Sequence, residues 1–216
     1  MKNQQDCKRS CIDCHVCNCD TRDKLFPDFC PGLTLDDQDL ARVIEVYTQD
    51  EENRTIALAS AQVEAEFYCR MTRIEEIGEF AKRIGAKKLG IATCVGLIQE
   101  ARIAAKILRK KGFEVFGAGC KVGSLPKTSI GVHLTPEAAE NVGDVMCNPI
   151  LQARLLNREQ TDLNIVVGLC VGHDSLFYKY SEALCTTLVT KDRVLCHNPA
   201  AALYQADKYY SRLLED

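Results

Sequence analysis

The segment KLGIATCVGLIQEARIAAKILRKKGFEVFGAGC (88–120) decides the fold class, because its pattern predicts a strand, a helix and a second strand. KLGIATC (88–94) is an apolar run of strand length, and LIQEARIAAKILRKKG (97–112) has helical periodicity up to Gly112. FEVFGAGC (113–120) follows as the next strand. Strands that alternate with crossover helices are typical of a mostly parallel sheet with helices on both faces.

The chain after this segment continues the alternation. An irregular stretch, 121–146, is followed by a helix that Asn148 caps and Pro149 opens. The later elements are predicted as a strand LNIVVGLC (163–170), a helix DSLFYKYSEA (174–183), a strand TTLVTKDRV (186–194) and a terminal helix AAALYQADKYYSRLL (200–214). The prediction is an α/β fold, with a three-layer, Rossmann-like and mostly parallel sheet.

The chain is predicted to have two parts. Residues 1–35 are cysteine-rich and show almost no apolar periodicity, so a bound metal is expected to order them. Residues 36–216 form the α/β domain, with a helical segment over 36–85 and the sheet core over 86–216. In the helical segment, Thr72 and Glu75 are a capping-box pair and Gly85 is a stop signal.

Length and charge limit the classes of function. The 216 residues suit one sizeable domain, and a net charge of −3 without a long basic run argues against nucleic acid as a partner. The N-terminus lacks the apolar region of a secretory signal, and no run approaches the roughly 18 apolar residues that span a bilayer. A cytoplasmic protein without membrane contact is expected. The partners considered are a redox protein, a small anionic substrate and a second copy of the chain.

Cysteine is over-represented, with 13 residues in a chain that shows no export signal. A reducing compartment disfavours disulfides, so most of these thiols are interpreted as metal ligands, redox centres or nucleophiles. Free cysteine also serves as a small buried apolar residue. That plainer role is expected for Cys69, within a helical pattern, and is an alternative for Cys185 at the start of a strand.

The N-terminal cysteines have metal-ligand spacing, which two registers explain. Cys11, Cys14, Cys17 and the Cys30-Pro31 pair resemble the run of ferredoxin-type [4Fe–4S] sites. Cys11, Cys14, Cys19 and Cys30 would instead form a four-thiolate knuckle for zinc or iron–sulfur. Cys7 and His15 are interpreted as bystanders. Both metals remain open for this site.

A second group of cysteines is predicted at the carboxyl edge of the sheet, where ligands bind in open parallel sheets. Cys94, Cys120 and Cys170 each end a predicted strand, and the first and third belong to a repeated Cys-Val-Gly motif. Cys147 and Cys196 each lie just before a predicted helix, whose N-terminus favours thiolate. Convergence of four or five thiols on this edge is expected, although it depends on the strand order.

GLCVGHD (168–174) adds two more polar residues at that edge. His173 is a candidate ligand or proton donor beside Cys170, and both are candidate catalytic residues. Asp174 is interpreted as a helix N-cap. Lys191 and Arg193 are candidates for holding an anionic substrate, with a surface salt bridge the favoured role for Arg193.

Several segments together resemble the cysteine-rich "metal-binding protein" family of anaerobic bacteria and archaea, known as domain of unknown function 1847. They include CIDCHVCNC, KKLGIATCVGLIQEA, CNPILQARLLN and NIVVGLCVGHDSLF, and they cover nearly the whole chain. The resemblance implies iron–sulfur or zinc proteins without an assigned reaction. It implies an N-terminal ligand set of Cys11, Cys14, Cys19 and Cys30, and a body set of Cys94, Cys120, Cys147 and Cys170.

Three functions remain as hypotheses, and enzyme activity is left undecided. The first is an iron–sulfur redox protein of anaerobic metabolism, with a [4Fe–4S] cluster as the expected cofactor and zinc as the alternative at the N-terminal site. The second is a metal or sulfur trafficking protein without turnover. The third is a cysteine-nucleophile enzyme with a structural zinc, in which a helix N-terminus and His173 activate Cys170.

Overall fold

In the computed structural model, the described residues are 8–21, 23 and 25–215, so Cys7 lies outside them. The strands are β1 (Lys88–Thr93), β2 (Glu114–Gly119), β3 (Leu163–Val167) and β4 (Leu184–Val189). The helices are α1 (Asn18–Thr21), α2 (Asp37–Gln49), α3 (Glu51–Phe67), α4 (Arg73–Arg83), α5 (Ile98–Lys110), α6 (Pro136–Val142), α7 (Pro149–Arg158), α8 (His173–Tyr180) and α9 (Ala200–Leu203). Short 3₁₀ turns occupy Cys11–Asp13, Pro31–Thr34, Val95–Leu97, Lys127–Ile130 and Ser211–Leu213.

The four strands form one parallel sheet in the order β2-β1-β3-β4, which confirms the predicted α/β fold. The chain leaves β1 towards β2 on one side, whereas it leaves β3 towards β4 on the other. The carboxyl ends of β1 and β3 therefore flank a topological switch point, the place where doubly wound sheets bind ligands.

Both faces of the central strands are covered. Every residue from Leu89 to Thr93 and from Leu163 to Val167 is buried, although successive side chains in a strand point to opposite faces. α5 and α7 both pack against β1 and β2, and α7 packs against α8. The right-handed rule for parallel crossovers predicts α5 on one face of the sheet and α7 and α8 on the other. Burial on both faces accounts for the continuous apolar runs in the sequence.

The chain divides into two compact units, Met1–Leu58 and Ala59–Asp216. The first unit holds the cysteine-rich segment and α2, whose Leu40, Val43 and Ile44 are each more than half exposed. The second unit holds the sheet and its flanking helices. The predicted division at residue 35 stays a prediction, and the division between the units falls inside α3.

Two predicted helix starts are confirmed by their capping contacts. The Glu75 carboxylate accepts a hydrogen bond from the Thr72 backbone N–H at 2.8 Å, where α4 begins. The Asn148 side-chain oxygen accepts one from the Leu151 N–H at 3.0 Å, where α7 begins. These contacts satisfy N–H groups that have no partner inside the helix.

Other element predictions were wrong. The terminal helix stops at Leu203 rather than reaching residue 214. Leu203, Tyr204 and Tyr209 are at least 74% exposed, so this segment buries little of the apolar face that would stabilise a longer helix. The last strand is β4 at 184–189 rather than 186–194, and α6 lies inside the stretch predicted to be irregular.

The N-cap of α8 also differs from the prediction. The helix begins at His173 and its N-cap is Gly172, at a φ of 80°. The N–H groups of His173 and Asp174 both bond to the Cys170 carbonyl, which starts the helix earlier than expected. Asp174 therefore lies inside the first turn, where its carboxylate accepts from the Ser175 N–H.

Helix length and polarity bear on the membrane prediction. Over the residues that the structure describes, no helix combines the length and the apolar character that crossing a membrane requires.

Candidate functional site

Three thiols meet at the carboxyl edge of the sheet. Cys94 directly follows β1, Cys120 directly follows β2, and Cys147 precedes the N-cap of α7. The Sγ atoms of Cys120 and Cys147 are 3.8 Å apart, and the Cys120 thiol also hydrogen-bonds to Cys94. Cys94 and Cys120 are buried, and Cys147 is half-buried. We refer to Cys94, Cys120 and Cys147 as the thiol triad.

Backbone hydrogen bonds hold Cys120 at the centre of the triad. Its N–H donates to the Thr93 carbonyl at 2.8 Å, and its carbonyl accepts from the Asn148 N–H at 2.7 Å. Its Sγ accepts from the Val95 N–H at 3.4 Å. The three chain segments that carry the triad are therefore tied to one residue.

The two outer thiols of the triad are more acidic than the central one. A hydrogen bond from Cys120 lowers the pKa of Cys94 to about 5, and the Gly96 N–H and Lys191 also favour its thiolate. The side-chain contact with Cys120 likewise lowers the pKa of Cys147 to about 6, with help from Lys121 and His173. The same two contacts, together with burial, raise the pKa of Cys120. Ionisation is therefore favoured at Cys94 and Cys147 over Cys120.

Two cations lie beside thiols of the sheet edge, one at Cys94 and one at Cys170. The Lys191 Nζ lies 3.6 Å from the Cys94 Sγ, and a side chain at Gly96 would meet that Nζ at 3.4 Å. The Arg193 Nη2 donates to the Cys170 Sγ at 2.9 Å. The surface salt bridge expected for Arg193 was wrong, because its guanidinium contacts a thiol rather than a carboxylate of the described chain.

Gln152 links the elements that carry the triad, and its side chain is fully buried in α7. Its Nε2 donates to the Thr93 carbonyl at 3.1 Å and to the Ala118 carbonyl at 2.7 Å. These carbonyls belong to the carboxyl ends of β1 and β2. Its Oε1 has no hydrogen-bond partner within the described part of the chain. The amide therefore sets the distance from α7 to both strand ends.

We expect Gln152→Met to lower the free energy of unfolding by about 2 kcal/mol, because two buried carbonyls lose a donor. Urea unfolding measures this loss. Gln99→Met is the matched control, since Gln99 is an exposed residue of α5, and it should change the value by less than about 0.5 kcal/mol. Equal unfolding free energies for the two variants would contradict the linking role of Gln152.

The remaining predicted site residues lie apart from the triad contacts. Cys170 is half-buried and contacts Arg193, whereas His173 is close enough to Cys147 to lower its pKa. Cys196, expected at the same edge, is exposed. Three of the predicted thiols are thus linked through Cys120, and a fourth, Cys170, contacts Arg193.

The two cysteines given a plainer role behave differently from each other. Cys69 is exposed in a turn after α3, at a φ of 55°, so its predicted burial was wrong. A positive φ ends the helical pattern that the sequence suggested for it. Cys185 is half-buried within β4, and burial raises the pKa of its thiol.

In the N-terminal segment, the structure brings Cys14 and Cys17 together. Backbone N–H groups of Cys17 and Val16, and the Cys17 thiol, lower the pKa of Cys14. Cys17 has a φ of 48°, which turns the chain back towards Cys14. The Cys14 N–H also donates to the Cys11 carbonyl at 3.2 Å, and both N-terminal registers stay predictions.

Neither cysteine group is arranged as a finished metal site. Among residues 8–21, 23 and 25–215, no group of three or more His, Cys, Asp or Glu side chains has the arrangement to hold a metal ion. The triad is instead a chain of contacts, in which Cys120 touches both Cys94 and Cys147.

Sequence reasoning missed Gln152 and Lys121. Gln152 resembles an ordinary helical residue in sequence, and only its place four residues after the Asn148 N-cap could have suggested a role near that end of α7. Lys121 directly follows Cys120, and its effect on the Cys147 pKa depends on the fold of the 121–146 segment.

Two comparisons with known proteins match most of the chain. A sequence profile described as "Protein of unknown function (DUF1847)" matches residues 30–188. An uncharacterized protein of Methanocaldococcus jannaschii is 51% identical over 175 residues, which cover 81% of this chain and 87% of the relative. The matched range contains the triad and Cys170, but it excludes Cys11, Cys14, Cys17 and Cys19.

Proposed function

This chain belongs to the DUF1847 family, and from that membership and the contacts of the triad we propose that it is a metal-binding redox protein. The proposed centre lies at the carboxyl edge of the sheet, with Cys94, Cys120 and Cys147 as ligands. The observation that carries the proposal is the 3.8 Å separation of the Cys120 and Cys147 sulfurs.

This separation matches two thiolates on one tetrahedral metal atom. Metal–sulfur bonds of about 2.3 Å at a tetrahedral angle place two sulfurs about 3.8 Å apart. Zinc, a single iron, or a [2Fe–2S] cluster with two cysteines on each iron fits that spacing. In a [4Fe–4S] cluster each cysteine binds a different iron, which separates the sulfurs further. The distance between the Cys120 and Cys147 sulfurs therefore favours zinc, a single iron or a [2Fe–2S] cluster over the expected [4Fe–4S] cluster.

The electrostatic environment supports thiolate ligands. Metal binding requires deprotonated thiols, and the pKa values of Cys94 and Cys147 lie well below the ordinary thiol range. Lys191 and Lys121 offset part of the negative charge that such ligands bring to a buried site. Metal binding would displace the proton that the raised pKa of Cys120 retains.

We assign the fourth ligand position of this centre to the chain segment that carries Cys170. Cys170 and His173 lie in one turn, and His173 acts electrostatically on Cys147. A bound iron centre would supply one-electron chemistry, while the protein residues bind it, shield it from water and balance its charge. The same proposal includes a cytoplasmic location and a partner protein that exchanges electrons with the centre. It also includes a second metal in the N-terminal segment, at Cys11, Cys14, Cys17, Cys19 and Cys30.

The test is the iron, zinc and acid-labile sulfide content of protein purified without oxygen. It is measured on the intact chain and on a Cys94→Ala/Cys170→Ala variant. The proposal predicts metal that falls by about one centre per chain in the variant, while metal at an N-terminal site remains. Metal content that is the same in both proteins would contradict a centre at the sheet edge.

A metal-free thiol enzyme is the second candidate, favoured by the low pKa of Cys94 and the Arg193–Cys170 contact. It predicts rapid alkylation of one sheet-edge cysteine in protein whose body carries no metal. Loosely held metal that exchanges freely would instead favour a metal or sulfur trafficking protein without turnover.

A further inference from the structure

One loop delivers two cations to two different thiols. The loop follows β4, and it places Lys191 at Cys94 and Arg193 at Cys170. Cys94 follows β1 and Cys170 follows β3, so the two cations lie at the switch point between these strands.

The loop is held by the residue between the two cations. The Asp192 carboxylate accepts hydrogen bonds from the Val194 N–H at 2.9 Å and the Leu195 N–H at 2.8 Å. The Asp192 N–H donates to the His197 Nδ1 at 3.1 Å, and the His197 N–H returns a bond to the Asp192 carbonyl at 2.9 Å. These contacts also occupy the acidic side chain nearest to the two cations in sequence.

Lys191 and Arg193 have N–H donors that are available to a further ligand. In the part of the chain that the structure describes, neither Lys191, Arg193 nor Lys121 forms a salt bridge with a carboxylate. Arg193 is exposed, and only its Nη2 is engaged by the Cys170 sulfur. A guanidinium carries five N–H donors in a planar fork that matches carboxylate and phosphate oxygens.

We propose that Lys191 and Arg193 bind a small oxyanion-bearing substrate, with a carboxylate or phosphate group, beside Cys170. The inference rests on the proposed function, because the substrate would be the molecule on which the sheet-edge centre acts. The guanidinium fork holds the oxyanion, Lys191 adds charge from the Cys94 side, and the rest of the substrate reaches the fourth ligand position.

Two alkylating reagents that differ in charge test the proposal. Iodoacetate is an anion and iodoacetamide is neutral, and both react in the same way. The cysteine sulfur, after losing its proton to solvent, attacks the methylene carbon, the C–S bond forms, the C–I bond breaks and iodide leaves. The reaction is run anaerobically on the full chain after dialysis against a chelator, and peptide mass spectrometry gives the rate at Cys170.

The rate ratio of iodoacetate to iodoacetamide at Cys170 isolates anion recruitment from thiol reactivity. We expect this ratio to fall about ten-fold in Arg193→Gln, and to fall in the intact chain as salt is raised. Arg193→Lys keeps the charge and should retain part of the ratio. Arg102→Gln, which removes an exposed arginine of α5, is the matched control and should leave the ratio unchanged. Inorganic phosphate should slow iodoacetamide at Cys170 in the intact chain but not in Arg193→Gln.

The alkylation rates of Arg193→Gln decide whether the anion site exists. If Arg193→Gln slows both reagents equally, the arginine acts on the thiol alone and the anion site is wrong. Any result in which Arg193→Gln leaves the ratio of the iodoacetate rate to the iodoacetamide rate unchanged overturns the proposed anion site. Metal analysis of the same preparations before dialysis reports separately on the proposed function, so a chain without metal that keeps the Arg193-dependent ratio would reject the metal centre and retain the anion site.

Discussion

A chain carrying Cys120→Ala is expected to lose the sheet-edge metal, with metal affinity at that site at least about ten-fold weaker than in the intact chain. Loss of an outer-shell partner already weakens metal sites by about 10- to 100-fold, and Cys120 is a proposed direct ligand. It is also the thiol that contacts both other members of the triad. Competition with a chromogenic chelator measures the affinity.

The same variant is expected to raise the pKa of Cys94 and Cys147 in metal-free protein. The hydrogen bond from Cys120 is the largest cause of the low pKa of each, about 5 for Cys94 and about 6 for Cys147. Without that hydrogen bond, the thiolates lose the main interaction that offsets the desolvation penalty of ionisation, so both pKa values rise. Thiolate absorbance near 240 nm, followed against pH, should show ionisation moved towards the ordinary thiol range.

Cys120→Ser separates the two roles of this residue. A hydroxyl can donate a hydrogen bond as the thiol does, but it is a poor ligand for thiolate-binding metals. We expect metal loss in both variants and a larger pKa change in Cys120→Ala. Cys185→Ala is the control, because this half-buried β4 thiol bonds to the Ala183 carbonyl at 3.5 Å and to Ser181, both outside the triad. Retained metal in Cys120→Ala would contradict the triad as the binding site.

Gly90→Ala is expected to lower the free energy of unfolding by about 4 kcal/mol or more, enough to unfold a marginally stable domain. A methyl group at Gly90 would lie 2.0 Å from the Asn164 Oδ1 and 2.8 Å from the Leu156 Cδ1. Asn164 is fully buried in β3, next to β1. Overpacking alone costs about 1–3 kcal/mol, and displacement of a buried polar group adds to this.

Asn164 cannot move away without breaking other contacts. Its Oδ1 accepts from the Thr161 hydroxyl at 2.8 Å, and its Nδ2 donates to the Ser181 hydroxyl at 2.8 Å. Turning the amide would leave buried polar groups without partners, at about 1–3 kcal/mol each. The glycine is therefore required by the Asn164 side chain, which occupies the space that a Cβ at position 90 would take.

Urea unfolding of Gly90→Ala and Gly117→Ala provides the matched comparison. Gly117 lies in the edge strand β2, where an added methyl group meets only the Ile91 carbonyl oxygen at an ordinary 3.7 Å. Gly117→Ala should be neutral or slightly stabilising, because alanine restricts the unfolded chain more than glycine does. Similar unfolding free energies for the two variants would show that Asn164 can be displaced from Gly90 at little cost.

The accuracy of the sequence predictions depends on how local their causes are. The elements 88–93, 98–110 and 114–119 were predicted nearly to their ends, because a buried strand and an amphipathic helix each leave a periodic pattern. The caps at Thr72 and Asn148 were correct because a cap involves residues only three positions apart. The terminal helix failed because its apolar residues have no buried surface to pack against.

The candidate site shows the same division. Sequence reasoning placed Cys94, Cys120, Cys147 and Cys170 near one edge, since the carboxyl ends of parallel strands share an edge. It assigned Arg193 to a surface salt bridge, whereas the residue contacts Cys170, 23 positions earlier in the chain. Gln152, whose amide reaches carbonyls 34 and 59 positions away, left no signal in its neighbours.

The sequence by itself determined the fold class, the richness in thiols and the placement of cysteines where strands end and helices begin. Each of these follows from local periodicity, capping and composition. Only the tertiary structure decided that Cys120 contacts both Cys94 and Cys147, and that Lys191 and Arg193 reach the thiols from the loop after β4. These contacts depend on the strand order β2-β1-β3-β4, which long-range packing of whole strands selects and which no local pattern encodes.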